Sequence, residues 1–158
     1  MVEIIELDLK KEFTRKQACF SQLTDNEIEM LANLLTEQPF LVGETIVIEG
    51  EIVDSVFLIV SGTADVRHIS YQNDVLVTKS LATLTAGNAI GLNDTGFYSV
   101  SGVRTATVVA LTDMVTLRLS LAAFHGFTLT NSHVNEIMHN NAQAATNGHG
   151  NGNGKSYS

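Results

Sequence analysis

The sequence predicts a mainly β fold, a small antiparallel sandwich or barrel flanked by helices, on three observations. Between residues 40 and 119 the chain is a succession of short, β-branched apolar runs separated by turn residues. Before Pro39 and after Leu119 the apolar residues recur instead at three- and four-residue steps. Both helical ends carry capping residues, Thr24 on one side and Ser120 on the other. With 158 residues, 44% of them apolar, the chain has the material for one domain with its own core.

Residues 7–20 place Leu9, Phe13 and Phe20 at roughly helical intervals. This is a short amphipathic helix whose Lys10, Lys11, Arg15 and Lys16 form either a solvated surface or a partner face. Thr24-Asp25-Asn26-Glu27 has the form of a capping box. Ile28, Leu31, Leu34 and Leu35 then give one apolar face, and Pro39 stops the helical region, which is expected over 7–38. Strands are expected at 45–48, 56–60, 63–69, 75–84, 105–111 and 115–119, with Gly43, Gly50 and Gly62 at sharp turns and Gln72-Asn73-Asp74 at a hairpin tip. Ser120 caps a short helix interrupted at Gly126. A second helix follows Ser132, with Val134, Ile137, Met138, Ala142 and Ala145 near one face, so helices fill 120–145. Residues 146–158 are rich in glycine and asparagine and nearly devoid of apolar groups, a composition expected to stay disordered.

Composition excludes several functions. No apolar run approaches the ~20 residues that span a bilayer, and the first residues are acidic where a signal peptide would be basic, so a cytoplasmic protein without membrane insertion is expected. The single cysteine, Cys19, allows no intrachain disulfide. A net charge of −8 opposes phosphate-backbone binding, so nucleic acid is not an expected partner. Nor do the residues describe an enzyme: there is no Gly-x-Ser-x-Gly elbow, and the Gly154-Lys155-Ser156 match to a phosphate loop lies in the tail. His68 stands alone in its strand, with His125, His133, His139 and His149 beyond the sheet, which does not make a metal set.

The informative stretch is 87–110. Gly87 and Gly91 stand four residues apart, a polar insert follows, and Arg104 comes immediately before an alternating strand. Gly91 permits close backbone approach, the residues after it can open a short helix with free N–H groups, and Arg104 offers a bidentate guanidinium, which together describe a phosphate pocket. The same residues also fit a surface loop followed by a strand with one solvated arginine.

Gly87-Asn88-Ala89-Ile90-Gly91 and Arg104-Thr105-Ala106-Thr107-Val108 resemble the phosphate-binding cassette of the cyclic nucleotide-binding domain family. Leu23-Thr24-Asp25, Gly43-Glu44-Thr45-Ile46, Glu49-Gly50 and Phe57-Leu58-Ile59-Val60-Ser61-Gly62 precede it in the family's order, so the resemblance covers about residues 13–145. It implies an antiparallel β-roll of the double-stranded β-helix or jelly-roll type. It also implies a C-terminal lid helix carrying Val134, Ile137 and Met138, and a regulatory, non-enzymatic role without a cofactor. The implied ligand is cAMP or cGMP, bound by Gly91, Leu92, Asn93, Asp94, Arg104 and Thr105 and signalled to a separate output protein. The same fold class includes metal-binding cupins, whose His-x-His signature is missing here.

Two departures stand out. Leu92 occupies the place where the family usually has a glutamate for the ribose 2′-hydroxyl, and leucine cannot accept that bond. The segment from Gly91 to Arg104 is longer than usual and lacks the family's proline. Asn93 or Asp94 would have to replace the ribose contact, and Thr105 would bear on the choice between the two nucleotides. The alternative is a degenerate domain serving interaction or homodimerisation, in which Arg104 is exposed or paired with a carboxylate such as Asp94.

Overall fold

The computed structural model describes residues 5–93, 96–97 and 102–147. Helix α1 (Leu7–Arg15), a 3-10 turn (Ala18–Phe20) and helix α2 (Asp25–Ala32) lead into strands β1 (Thr36–Phe40), β2 (Thr45–Val47), β3 (Ser55–Ser61), β4 (Ala64–Gln72) and β5 (Val75–Leu84). Short strands β6 (Ala89–Ile90), β7 (Leu92–Asn93) and β8 (Gly96–Phe97) come next. They are followed by β9 (Thr107–Ala110), β10 (Met114–Ser120) and helices α3 (Leu121–Thr130) and α4 (Ser132–Asn147). Two four-stranded antiparallel sheets, ordered β1-β10-β3-β6 and β2-β9-β4-β5, make the expected β-roll, and β7 pairs with β8 in a small ladder of its own.

Strand β3 shows how the roll is closed. Its side chains alternate between two cores: Val56 and Leu58 face the helical layer with Phe13, Phe20, Leu31 and Phe124, while Phe57 and Ile59 face the roll interior with Val47, Val66, Ile90 and Val108. A strand covered on both sides needs apolar residues at every position, which is why 56–60 reads as a continuous apolar run rather than an alternating one. At the far end of the second sheet, Asn73 and Asp74 both take positive φ, 52° and 64°, the backbone that a two-residue hairpin between β4 and β5 requires.

The caps read from the sequence are formed. Thr24 Oγ1 accepts from the Glu27 N–H, and a Glu27 carboxylate oxygen accepts from the Thr24 N–H at 2.8 Å, closing the capping box. Ser120 Oγ accepts from the Ala123 N–H at 3.0 Å to start α3. The basic side of α1 is engaged within the chain. Lys10 donates to the Leu35 carbonyl, Lys11 lies 3.7 Å from Glu29, Arg15 lies 3.1 Å from Asp25, and the Lys16 ammonium stands over the Phe13 ring.

Several boundaries differ from the sequence reading: the helix expected over 7–20 ends at Arg15 and gives way to the 3-10 turn, β4 runs on to Gln72, and β9 is confined to Thr107–Ala110. The second helix stops at Ala32, not before Pro39, and residues 36–40 form a strand paired with β10 from Thr36↔Arg118 to Phe40↔Met114. Pro39 is tolerated there because β1 is an edge strand with one neighbour. Helix α3 runs through Gly126 to Thr130, its apolar side held by buried Phe124 and Phe127 against the core. Helix α4 continues to Asn147, two residues into the expected tail, and the remainder of that tail lies outside the described residues.

Candidate functional site

Arg104 is brought to the roll by backbone bonds to the connection between β2 and β3. Its N–H donates to the Glu51 carbonyl at 2.7 Å, and its own carbonyl accepts from Gly50 N–H at 2.9 Å. The side chain then runs inward and is only 3% exposed. Nη2 donates to the Ser55 carbonyl at 2.7 Å and lies 3.8 Å from Asp54 Oδ1, while Nη1 is buried with no hydrogen-bond partner among the described residues. Burial pushes the guanidinium pKa down, an effect opposed by Asp54, reinforced by the like charge of Arg118 and opposed again by Glu51.

Gly91 is fitted to this arginine. Its φ is +86°, and a Cβ built there would stand 2.7 Å from Arg104 Nη1 and 3.3 Å from both the Ser55 carbonyl oxygen and Val56 Cγ1. The glycine therefore makes room for the guanidinium as well as for a sharp backbone turn. Arg104 Nη1, without a partner among the described residues, lies against that glycine, so an anion arriving at the turn would meet a charged donor already stripped of water.

The residues after Gly91 do not start a helix. Leu92–Asn93 is extended and pairs with Gly96–Phe97, so the cassette opens with a hairpin rather than a helical N-terminus. Leu92 is 8% exposed and belongs to the core shared with the helices, on the side of β3 away from the roll interior. Asp94 lies outside the described residues. Thr105 is exposed, whereas Thr107, buried, accepts from the Glu49 N–H at 3.0 Å.

Next to Arg104 a cavity of about 610 Å³ opens between β2, β3 and the 50–55 connection. Ile46, Val47 and Phe57 line its apolar side, and Glu51, Asp54, Arg104 and Arg118 supply its charge. Gly91 and Leu92 do not line this cavity, whereas Arg104, which lies against Gly91, does. Asp54, Ser55 and Arg118 had no signal in the sequence. Arg118 sits in an alternating strand where a charged residue reads as solvated, and Ser55 acts through its carbonyl on Arg104 and through its hydroxyl, which donates to Asp54 Oδ1 at 2.9 Å.

Helix α4 is docked away from the cavity. Val134 and Ile137 are buried with Phe13, Cys19, Phe20 and Ile28, Met138 packs against the same cluster, and none of the three lines the cavity. The Asn141 amide donates to the Cys19 carbonyl at 3.2 Å, and His133 Nδ1 lies 2.8 Å from both oxygens of Glu27. The helix also touches β8, so it bridges the N-terminal helices and the cassette hairpin. Burial pushes the Glu27 carboxyl up, but the bonds from the Thr24 N–H and His133 outweigh it and hold the pKa below the ordinary carboxylate value. His68 pairs with Glu49 at 3.0 Å, and no helix among the described residues is long and apolar enough to cross a membrane.

A comparison with the curated proteins finds no match. Among solved structures, the N-terminal domain of a transcriptional regulator from Streptomyces coelicolor A3(2) superposes with a TM-score of 0.72 at 20% identity, over 85% of this chain and 90% of that one. The regulatory domain of Toxoplasma gondii PKA with cAMP gives 0.65 at 16% identity, over 89% and 50%. The Thermus thermophilus catabolite activator protein gives 0.61 at 18% identity, over 82% and 56%. The chain thus spans about half the length of the last two. The family model for the cyclic nucleotide-binding domain matches residues 37–131, from β1 through the cassette to α3. On that match, and with the β-roll that carries Gly91 and Arg104, the chain belongs to the cyclic nucleotide-binding domain family.

Proposed function

We propose that this domain binds a cyclic nucleotide without covalent chemistry and acts as a regulatory sensor for a separate output protein. The observation that carries the reading is the buried Arg104 Nη1, which lies against Gly91 without a partner among the described residues. A cyclic phosphate there would satisfy it, with amides near Gly91, Leu92 and Asn93 completing the anion site and Asp94 and Thr105 beside the sugar and base. The solved Toxoplasma gondii neighbour, which holds cAMP in the same fold, supports this reading. Helix α4 would pass the signal on, since it touches both the cassette hairpin and the N-terminal helices.

Arg104→Ala should weaken cAMP or cGMP binding by about 10- to 100-fold, the worth of a charge-assisted bond, and Arg104→Lys should recover part of it. Calorimetric titration of the intact chain measures this, with thermal unfolding as the check on folding. Unchanged affinity in both variants would place the ligand elsewhere.

A second reading rests on Leu92. Its side chain is packed in the helical core and offers a ribose hydroxyl nothing, which favours a domain that has lost nucleotide binding and serves interaction or dimerisation. That reading expects Arg104 to be exposed or paired with a carboxylate such as Asp94. It is buried, Asp54 lies 3.8 Å away and is largely exposed, and Asp94 lies outside the described residues. Absence of any nucleotide-dependent shift in unfolding temperature would favour this second reading.

A further inference from the structure

The cavity beside Arg104 contains a second guanidinium that the cassette does not explain. Arg118 comes from β10, directly opposite Phe57 of β3, and both line the cavity. The two arginines share one carboxylate: Asp54 Oδ1 lies 3.8 Å from Arg104 Nη2, and Asp54 Oδ2 lies 3.9 Å from Arg118 Nη2. Both separations exceed hydrogen-bond length and Asp54 is 73% exposed, so it holds neither cation firmly. Glu51, the other carboxylate of the lining, engages Arg104 through its peptide carbonyl.

The Arg104 guanidinium faces two ways. Nη1 lies against Gly91, while Nη2 donates to the Ser55 carbonyl and lies 3.8 Å from Asp54, which lines the cavity together with Arg118. An anion at the cassette leaves Arg118 unused, and Leu92 offers no hydroxyl acceptor that would favour a plain ribose. A second acidic group on the ligand could replace Asp54 between the arginines, with Asp54 giving up the 2.9 Å bond from the Ser55 hydroxyl to turn to solvent and Ile46, Val47 and Phe57 taking the apolar body of the molecule.

We propose, resting on the function proposed above, that Arg118 is a specificity-determining residue and that the preferred ligand carries two phosphate-class anionic groups. Arg104 and the cassette amides hold one, and Arg118 holds the other. A 3′,5′-cyclic mononucleotide, with a single anion, fills only the first position.

The test titrates the full chain calorimetrically with cAMP, cyclic di-AMP and adenosine 3′,5′-bisphosphate, which carry one phosphodiester, two phosphodiesters and two phosphomonoesters. At least one two-anion probe should bind about tenfold or more tighter than cAMP, and which one does so separates diester from monoester recognition. Arg118→Gln should collapse that ratio to within about twofold of unity, and Arg118→Lys should restore part of it. Asp54→Asn, which removes the competing carboxylate, should raise the ratio. Unfolding midpoints equal to the parent's show that the variants fold. If neither two-anion probe outbinds cAMP, or if the ratio survives Arg118→Gln, the inference is overturned. Arg104-dependent cAMP binding in that same experiment would leave the proposed function standing, whereas no binding of any probe would sink both.

Discussion

Replacing Gly91 with alanine tests the geometry on which the site depends. The residue has φ +86°, a region costing an L-residue roughly 1–2 kcal/mol, and the added Cβ would lie 2.7 Å from Arg104 Nη1. That separation forces the guanidinium to move, because the other neighbours at 3.3 Å are a backbone carbonyl and a packed valine. Moving it breaks the 2.7 Å bond from Nη2 to the Ser55 carbonyl, a charge-assisted bond worth about 1.5–3 kcal/mol. The sum is about 2.5–5 kcal/mol, which in a chain of this length lowers the unfolding midpoint by roughly 5–20 °C.

The decisive assay is a double-mutant cycle by urea denaturation, using Gly91→Ala, Arg104→Ala and the pair. In the Arg104→Ala background the clash has no object, so Gly91→Ala should cost only its backbone strain, about 1–2 kcal/mol. The coupling should therefore come out near 1.5–3 kcal/mol. Strict additivity would refute the claim that Gly91 is glycine on account of the arginine.

Other expectations follow from the helices. Glu27 has a folded pKa held below its ordinary value, so its contribution to stability is complete above the unfolded carboxylate range and is lost as pH falls through the folded value. Glu27→Gln, whose amide oxygen can still accept from the Thr24 N–H, should keep the capping box and flatten the stability profile on that acid limb, as read from urea midpoints across pH. Gly126 lies inside α3 with nothing within 4 Å of a Cβ, so Gly126→Ala should stabilise by up to ~1 kcal/mol and raise the thermal midpoint; a fall would mean that the site is closed by something other than solvent.

What could be read from the sequence was what is decided locally. The Thr24–Glu27 box and the Ser120 cap depend on residues three apart, and the 72–74 turn depends on asparagine and aspartate tolerating positive φ. What escaped was decided at a distance. Leu34 and Leu35 continue the helical spacing of α2, and only the pairing with β10, about eighty residues on, makes Thr36–Phe40 a strand. Gly126 reads as a break, yet the burial of Phe124 and Phe127 carries the helix through it. Within the site, Gly91 and Arg104 were legible because their spacing follows a family pattern. Arg118 was not, because nothing local distinguishes an arginine facing a cavity from one facing water.

Strand β3 gives the cavity and the helices a common wall. Phe57 borders the cavity and the Ser55 carbonyl holds Arg104, while Val56 and Leu58, on the opposite face of these few residues, form the seat of the helical layer. A close-packed wall of this kind has no slack in which a displacement on one side can be absorbed before it reaches the other. In the proposed sensor, the residues that would set how loudly the helices hear the pocket are therefore Val56 and Leu58, which do not line it. Retuning them would alter the gain of that sensor while leaving its selectivity where Arg118 puts it.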